Sequence, residues 1–272
     1  MLLSNYTHFY NTKTPLFKRC FFLSLYPMTE DTKIYGLRAI IEAIEAGKDI
    51  EKVYLQKELE GDLFKELESL IKSKRISSSY VPEIKIEKLS KGRNHQGAVA
   101  KVAPISFQDF EITINRIIKD IESPIFLMLD QISDTRNFGA IVRTAECTGV
   151  SAIIISKTGS APITADAVKT SAGAIFNIPI CKVDHIKDAI YYLQSCDVKI
   201  VAATEKTDNT IYDVPLTGSH ALIMGSEGRG INPSVLKIVD YKAKLPLLGK
   251  IESLNVSVAT GAFLYEAIRQ RQ

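Results

Sequence analysis

Two hydrophobic patterns divide the chain. Over residues 34–102, Leu37, Ile40, Ile41 and Ile44 repeat at three- and four-residue intervals and Gly47 follows, so the spacing predicts a helix that stops there. IEKVYLQ (50–56) reads as a strand, DLFKELESLIKSK (62–74) as an amphipathic helix and ISSSYVP as a short strand. PEIKIEKLS then reads as a helix, and GAVAKVA closes the segment as a strand. The order αβαβαβ predicts a small unit of sheet and helix layers.

Beyond Pro104, the residues Phe110, Ile114, Ile117, Ile118 and Ile121 predict a connecting helix over 104–123 rather than a loose linker. The pattern changes again at Pro124. IFLMLD, AIIIS, VKIVAAT and HALIMG are short, nearly continuous apolar runs separated by helical stretches. Strands buried on both faces of a parallel sheet look like this. The expected class is therefore α/β, with a small domain over 29–103, a linker helix over 104–123 and a larger domain over 124–272.

Composition narrows this little. Hydrophobic residues make up 46% and charged residues 24% of 272, ordinary values for a soluble globular protein. No apolar stretch approaches the roughly 20 residues that span a bilayer, so no membrane association is expected. The net charge of +3 resides in residues 1–28, where Lys13, Lys18 and Arg19 meet no acid. The rest is balanced, and any basic surface must be a local patch. Residues 1–28 read as a disordered extension, with Met28 as an alternative start; FKRCFFLSLYP is too short, and lacks a cleavage signal, for a targeting peptide. The four cysteines (Cys20, Cys147, Cys181 and Cys196) show no CxxC and no histidine at ligand spacing. No disulfide framework or metal site is expected, and a reducing cytoplasm fits. Cys147, inside AECTGV, reads as a small core residue.

Three polar clusters interrupt the second region. DQISDTRNFGAIVRTAECTGV (130–150) runs from strand end through loop to a helix striped by Phe138, Ile141, Val142 and Ala145, with Arg143 off the stripe. Taken alone, Asn137 reads as a helix N-cap and Arg143 as a solvated arginine. ALIMGSEGRGI (221–231) places glycines at 225, 228 and 230 after a strand. That is G-x-x-G-x-G, not the dinucleotide fingerprint, and a tight turn explains it as well. LPLLGKIESLNVSVATGAFLYEAIRQ (245–270) reads as a strand ending at Pro246, a loop, and a helix beginning near Ser253 as its N-cap. Val256, Val258, Ala259, Phe263, Leu264 and Ala267 make that helix apolar over more than one face, as burial against a second subunit requires.

In this order and spacing, NFGAIVRTAECTGV, IMGSEGRGI and LPLLGKIESLNVSVATGAFLYEA resemble the three motifs of the SpoU family of the SPOUT superfamily, RNA ribose 2′-O-methyltransferases. The resemblance spans residues 125–271. NHQGAVAKV is similar to the His-Gln-Gly signature of the L30e-like substrate-binding domain that precedes the catalytic domain in some members, which marks His95 and Gln96 as RNA-binding candidates.

The resemblance implies a parallel sheet whose C-terminal segment, from about Ala221 onward, forms a deep trefoil knot, a rare exception to unknotted topology. It implies S-adenosyl-L-methionine as cofactor, held by Ala203, Thr204, Gly225, Gly228, Leu245, Leu254 and Asn255. Arg143, Asn137, Glu227, Ser253 and Asn255 are the implied catalytic residues, and no metal is implied. The family assigns Arg143 as a base. A guanidinium with a pKa above about 12 is rarely neutral, so stabilisation of a phosphate or developing alkoxide is the physically preferred role. A homodimer through the knot region is implied. The domain order resembles that of enzymes modifying a guanosine of 23S rRNA; a tRNA methyltransferase or a non-catalytic RNA-binding homologue are the alternatives. A nucleotide-dependent oxidoreductase is disfavoured by the glycine spacing.

Overall fold

The computed structural model describes residues 33–251 and 253–272; the expectations for residues 1–28, with Met28 and Cys20, lie outside the described residues. The first region is β1 (Lys33–Tyr35), α1 (Leu37–Glu45), β2 (Ile50–Gln56), α2 (Asp62–Ser73), β3 (Ser78–Val81), α3 (Glu83–Ser90) and β4 (Ala98–Val102). The expected αβαβαβ order is thus preceded by a strand, too short for periodicity to register. The sheet order is β1-β4-β2-β3, with β4 antiparallel to both neighbours and β2 parallel to β3. Ile40, Ile41 and Ile44 of α1 and Leu67 and Ile71 of α2 pack on one face, against Val53, Leu55, Ala98 and Ala100. On the other face, Ile86 of α3 packs with Val81 and Val99.

The connection to the second region is held at defined points. Asp49 accepts hydrogen bonds from Ala103 N on its carbonyl and from Phe107 N (3.1 Å) on its carboxylate. Helix α4 (Phe110–Asp120) starts at Asp109, whose side chain accepts from Ile112 N at 2.9 Å, the usual satisfaction of a free first-turn donor. It seats Ile114 and Ile117 on the larger sheet, whereas Ile121 lies beyond the helix and is exposed.

The second region comprises β5 (Ile125–Asp130), α5 (Thr135–Cys147), β6 (Ala152–Ser156), α6 (Ala165–Thr170), β7 (Ile180–Val183), α7 (Ile186–Ser195), β8 (Lys199–Ala203), β9 (His220–Gly225), α8 (Pro233–Leu236), β10 (Tyr241–Ala243) and α9 (Val256–Gln270). All six strands are parallel in the order β10-β8-β9-β5-β6-β7. Side chains alternate between two cores. Leu127, Leu129, Ile153, Leu222 and Met224 meet α5 and α9; Phe126, Met128, Ile154, Ala221 and Ile223 meet α4, α7 and α8. The four apolar runs are the interior strands β5, β6, β8 and β9. The edge strand β7 escaped the sequence reading because it is short and carries Lys182 on a margin that needs no continuous apolar run. Two further expectations are corrected. The last strand ends at Ala243 rather than Pro246, and Cys147 is exposed while Cys181 is buried, its thiol pushed up to about 11 by desolvation. Among the described residues no helix is long and apolar enough to cross a membrane.

The C-terminus is clamped across the strand ends. Arg271 donates to the carbonyls of Ser123 (2.7 Å), Leu216 (3.0 Å) and Gly218 (2.8 Å), beside the buried ring of His220. Burial pushes the His220 pKa down from 6.5 to about 4, with the nearby Arg271 charge acting in the same sense. Between those values the unfolded chain binds the extra proton, so stability declines as pH falls from 6.5 toward 4. Thermal unfolding is expected to reveal a loss of order 1 kcal/mol per pH unit in that window. His220→Gln should flatten the slope; a variant with the same acid dependence as wild type excludes His220 as its source.

Candidate active site

In open parallel sheets, ligands bind beyond the carboxyl ends of the strands, where neighbouring connections diverge. Strand β5 meets that condition. From it the chain passes through α5 to β6 on one side, while β9 lies on the other. A cleft of about 380 Å³ opens between the two loops, lined by residues 131–134 and Asn137 after β5, by Ser226 to Arg229 after β9, and by Val256.

The start of α5 explains how Asn137 enters this cleft. The N-cap is Asp134, which accepts from Asn137 N at 2.7 Å. Asn137 is therefore not the cap, as it reads in isolation, and its side chain is released for other contacts. Its Nδ2 donates to Glu227 Oε1 (3.1 Å), and its Oδ1 accepts from Asn255 Nδ2 (3.0 Å). Asn255 Nδ2 also donates to Glu227 Oε1 (2.7 Å), which accepts Val256 N at 3.3 Å as well. One residue from each of the three polar clusters thus closes a single network.

Asn255, and not Ser253, caps α9, with its Oδ1 accepting from Ser257 N at 3.0 Å. The network consequently ties the N-terminus of α9 to that of α5, and a carboxylate at a helix N-terminus is electrostatically favoured. Ser253 is exposed and makes no hydrogen bond among the described residues. Arg143 is exposed on α5, about 9 Å along the axis from Asn137 at 1.5 Å per residue. It neither lines the cleft nor forms a hydrogen bond or ion pair among the described residues.

Two glycines are required by close approach. A Cβ on Gly225 would lie 2.2 Å from Gly230 C and 2.3 Å from Ile231 N, because the loop after β9 folds back over it. Gly230 N donates to Ser226 O (2.8 Å) to close that fold, with Gly230 at φ 66°. Gly139 lets α5 approach α6, since a Cβ there would meet Thr170 Cβ at 2.6 Å. Neither requirement is visible in glycine spacing.

Residues 124–265 match the model of the SpoU rRNA Methylase family, and residues 33–108 match that of RNA 2′-O ribose methyltransferase substrate binding. The 23S rRNA (guanosine-2′-O-)-methyltransferase RlmB of Vibrio vulnificus is 34% identical over 241 residues, covering 88% of this chain and 96% of the relative. The Escherichia coli protein of the same name is 34% identical over 239 residues, covering 88% and 98%. The chain belongs to the SpoU rRNA methylase family. Solved methyltransferase structures share its fold. AviRb of Streptomyces viridochromogenes, in complex with AdoMet, has a TM-score of 0.56 at 24% identity, covering 88% of this chain and 90% of that one. An AdoMet-bound rRNA methyltransferase of Sinorhizobium meliloti has a TM-score of 0.55 at 24% identity, covering 88% and 87%.

The positions that the SpoU resemblance marks for the cofactor lie at the carboxyl ends of β8, β9 and β10. Thr204 is buried, Ala203 and Leu245 are half-buried at the edge of the core, Gly228 is exposed in the turn after β9, and Leu254 is exposed ahead of α9. Leu247, Leu248 and Ile251 are exposed in the same connection. Of the marked positions only Gly228 lines the cleft, and the exposed aliphatic side chains that follow β10 suit a purine and a thioether, which ask for apolar walls and few polar contacts. The residues present fit an adenosyl sulfonium.

Proposed function

We propose that the chain methylates the ribose 2′-hydroxyl of a guanosine in 23S rRNA, using S-adenosyl-L-methionine. The observation that carries this reading is the hydrogen-bonded union of Asn137, Glu227 and Asn255 in the cleft of a SpoU family member. The assignment to 23S rRNA rests on relatives of that activity aligning over 88% of the chain, both regions included. Residues 29–103 serve as the RNA substrate-binding domain, 104–123 as the linking helix and 124–272 as the catalytic domain with its C-terminal knot. A cytoplasmic location follows from the substrate.

The bound cofactor supplies an electrophilic methyl group. The chain's task is to hold a hydroxyl in line with it and to lower the cost of the negative charge that grows on oxygen. Glu227 Oε1 is committed to Asn137, Asn255 and Val256 N, which fixes the cleft wall and leaves the amides immobile. Such prior ordering is what makes a polar site effective at the moment of transfer. Arg143 supplies a cation without a counter-ion among the described residues, fit to bind the phosphate next to the target ribose.

Because Arg143 lies outside its own chain's cleft, a second copy completes the site. Val258 (58% exposed) and Tyr265 (59% exposed) extend an unpartnered apolar face along α9, which packs beside α5. The exposure of Val258 in the single chain agrees with a second apolar face on α9 and supports a homodimer through it. Ser253 orients the substrate from the loop that precedes α9.

Incubating the protein with labelled cofactor and total RNA, ribosomal and transfer, from cells lacking it, then mapping ribose methylation, tests the proposal. Label at the ribose of one 23S guanosine is expected. Label on a base, label in tRNA alone, or none at all would refute it.

A further inference from the structure

The small sheet carries an alignment of like charges that folding does not favour. On β4, Lys101 stands directly opposite Lys33 of β1 and, on its other side, Lys52 of β2. Two residues along, Val99 stands between Tyr35 and Tyr54 in the same register. Alternate residues of a strand share a face, so the lysine row lies beside the Tyr35–Val99–Tyr54 row. The intervening row of Ile34, Ala100 and Val53 turns the other way, into the core under α1 and α2. Helix α3 covers the tyrosine row through Ile86 and Leu89, and all three lysines remain partly exposed.

Like charges placed directly opposite each other destabilise a sheet, and here three stand in line. Neighbouring aromatic rings add to the concentration of charge. Lys52 Nζ lies 5.4 Å from the Tyr54 ring centroid, and Arg93, from the loop after α3, lies 5.1 Å over Tyr35. Neither Lys52 nor Lys101 forms an ion pair among the described residues. Outside residues 1–28 the chain has balanced charge, so this patch is a local concentration and not the by-product of a basic protein.

We propose that the row is a phosphate-binding track for a single RNA strand, formed by Lys33, Lys101, Lys52 and Arg93; this rests on the reading of RNA as substrate. Strands about 4.8 Å apart set the outer lysines about 10 Å apart. A row of that length can meet more than one phosphate of a strand. Contacts of this kind fix the register of a nucleic acid without reading its sequence. The track also lies where it is useful. Strand β4 ends at Val102, Ala103 and Phe107 are tied to Asp49, and Gln108 pairs with Cys181 at the edge of the catalytic sheet. RNA on the lysines is thus held beside a short, hydrogen-bonded passage to the catalytic region. His95 and Gln96 precede the opposite end of β4 and follow Arg93 by two and three residues, so the lysine row extends from the surface that the His-Gln-Gly signature marks toward the far end of the strand.

The test is filter binding of protein-free 23S rRNA to the full chain and to its Lys52→Ala/Lys101→Ala variant, across a salt series, with melting temperatures. Affinity is expected to fall about tenfold, and the slope of log affinity against log salt to shrink by roughly one for each contact removed. The melting temperature should hold or rise as repulsion is relieved. Lys52→Arg/Lys101→Arg should bind as wild type. Unchanged affinity and slope overturn the proposal, and are the result expected if the row faces an acidic protein instead. A fall in affinity accompanied by a lower melting temperature also overturns it, since the lysines would then be structural. The readout is binding, so a wild-type protein that binds RNA through these lysines yet transfers no methyl group defeats the catalytic reading alone.

Discussion

Arg143→Ala is expected to slow methyl transfer by on the order of 10²–10³-fold, the usual cost of removing a group that stabilises developing charge. The melting temperature should not change. Arg143 is exposed, and among the described residues it donates to no carbonyl and pairs with no acid, so truncation leaves nothing buried and unpaired. Cofactor affinity should also hold, because the positions that the SpoU resemblance marks for it, Gly225, Leu245 and Leu254, lie in other segments. A base and an electrostatic stabiliser are separable here. Arg143→Lys keeps the charge but loses the planar fork that binds phosphate oxygens in pairs, and should recover only part of the rate. Mixing Arg143→Ala chains with Asn255→Ala chains adds a second readout. Since Arg143 lines no part of its own cleft, paired copies should regain a fraction of the activity that neither variant has alone. Wild-type turnover in Arg143→Ala, or no recovery on mixing, would remove this residue from the partner's site.

The interior of the fold was legible because its strands are buried on both faces. IFLMLD and HALIMG admit few other readings, and Phe138, Ile141, Val142 and Ala145 sit where the helical stripe predicts, all fully buried. Legibility ends at the margins. ICKV carries a lysine and escapes a pattern built on continuous apolar runs, and YKA, read as a strand ending at Pro246, ends three residues earlier. Capping chemistry misleads in a different way. Asp134 and Asn137 are both good caps, as are Ser253 and Asn255, and composition cannot choose between candidates two or three residues apart. The choice matters, because it decides whether Asn137 spends its amide on its own helix or on Glu227. The resemblance to SpoU motifs named Asn137, Glu227 and Asn255 without saying that they touch. Contacts spanning 90 and 118 residues of chain have no local signal. The roles of Val256 N and of Gly139 belong to the same class.

Asn255→Ala removes two functions that a second substitution can separate. Its Oδ1 caps α9 through Ser257 N, and its Nδ2 joins Asn137 to Glu227. Losing the cap costs about 1 kcal/mol. Losing the amide leaves the Asn137 carbonyl and the Glu227 carboxylate without a shared donor, so the cleft wall is no longer fixed. Methyl transfer is expected to fall at least 100-fold, in line with the loss of a positioned polar group, and the protein should melt at a lower temperature. Asn255→Asp keeps an oxygen to cap α9, but turns a carboxylate oxygen toward Glu227 Oε1 where a donor had been. It should therefore retain the cap and still lose activity as fully as the alanine variant. A double-mutant cycle with Asn137→Ala supplies the number that decides. Residues in one network couple by about 0.5–3 kcal/mol. Additive losses of stability and rate in Asn137→Ala/Asn255→Ala, or near-wild-type transfer by Asn255→Asp, would show that the network closes the loops without serving the reaction.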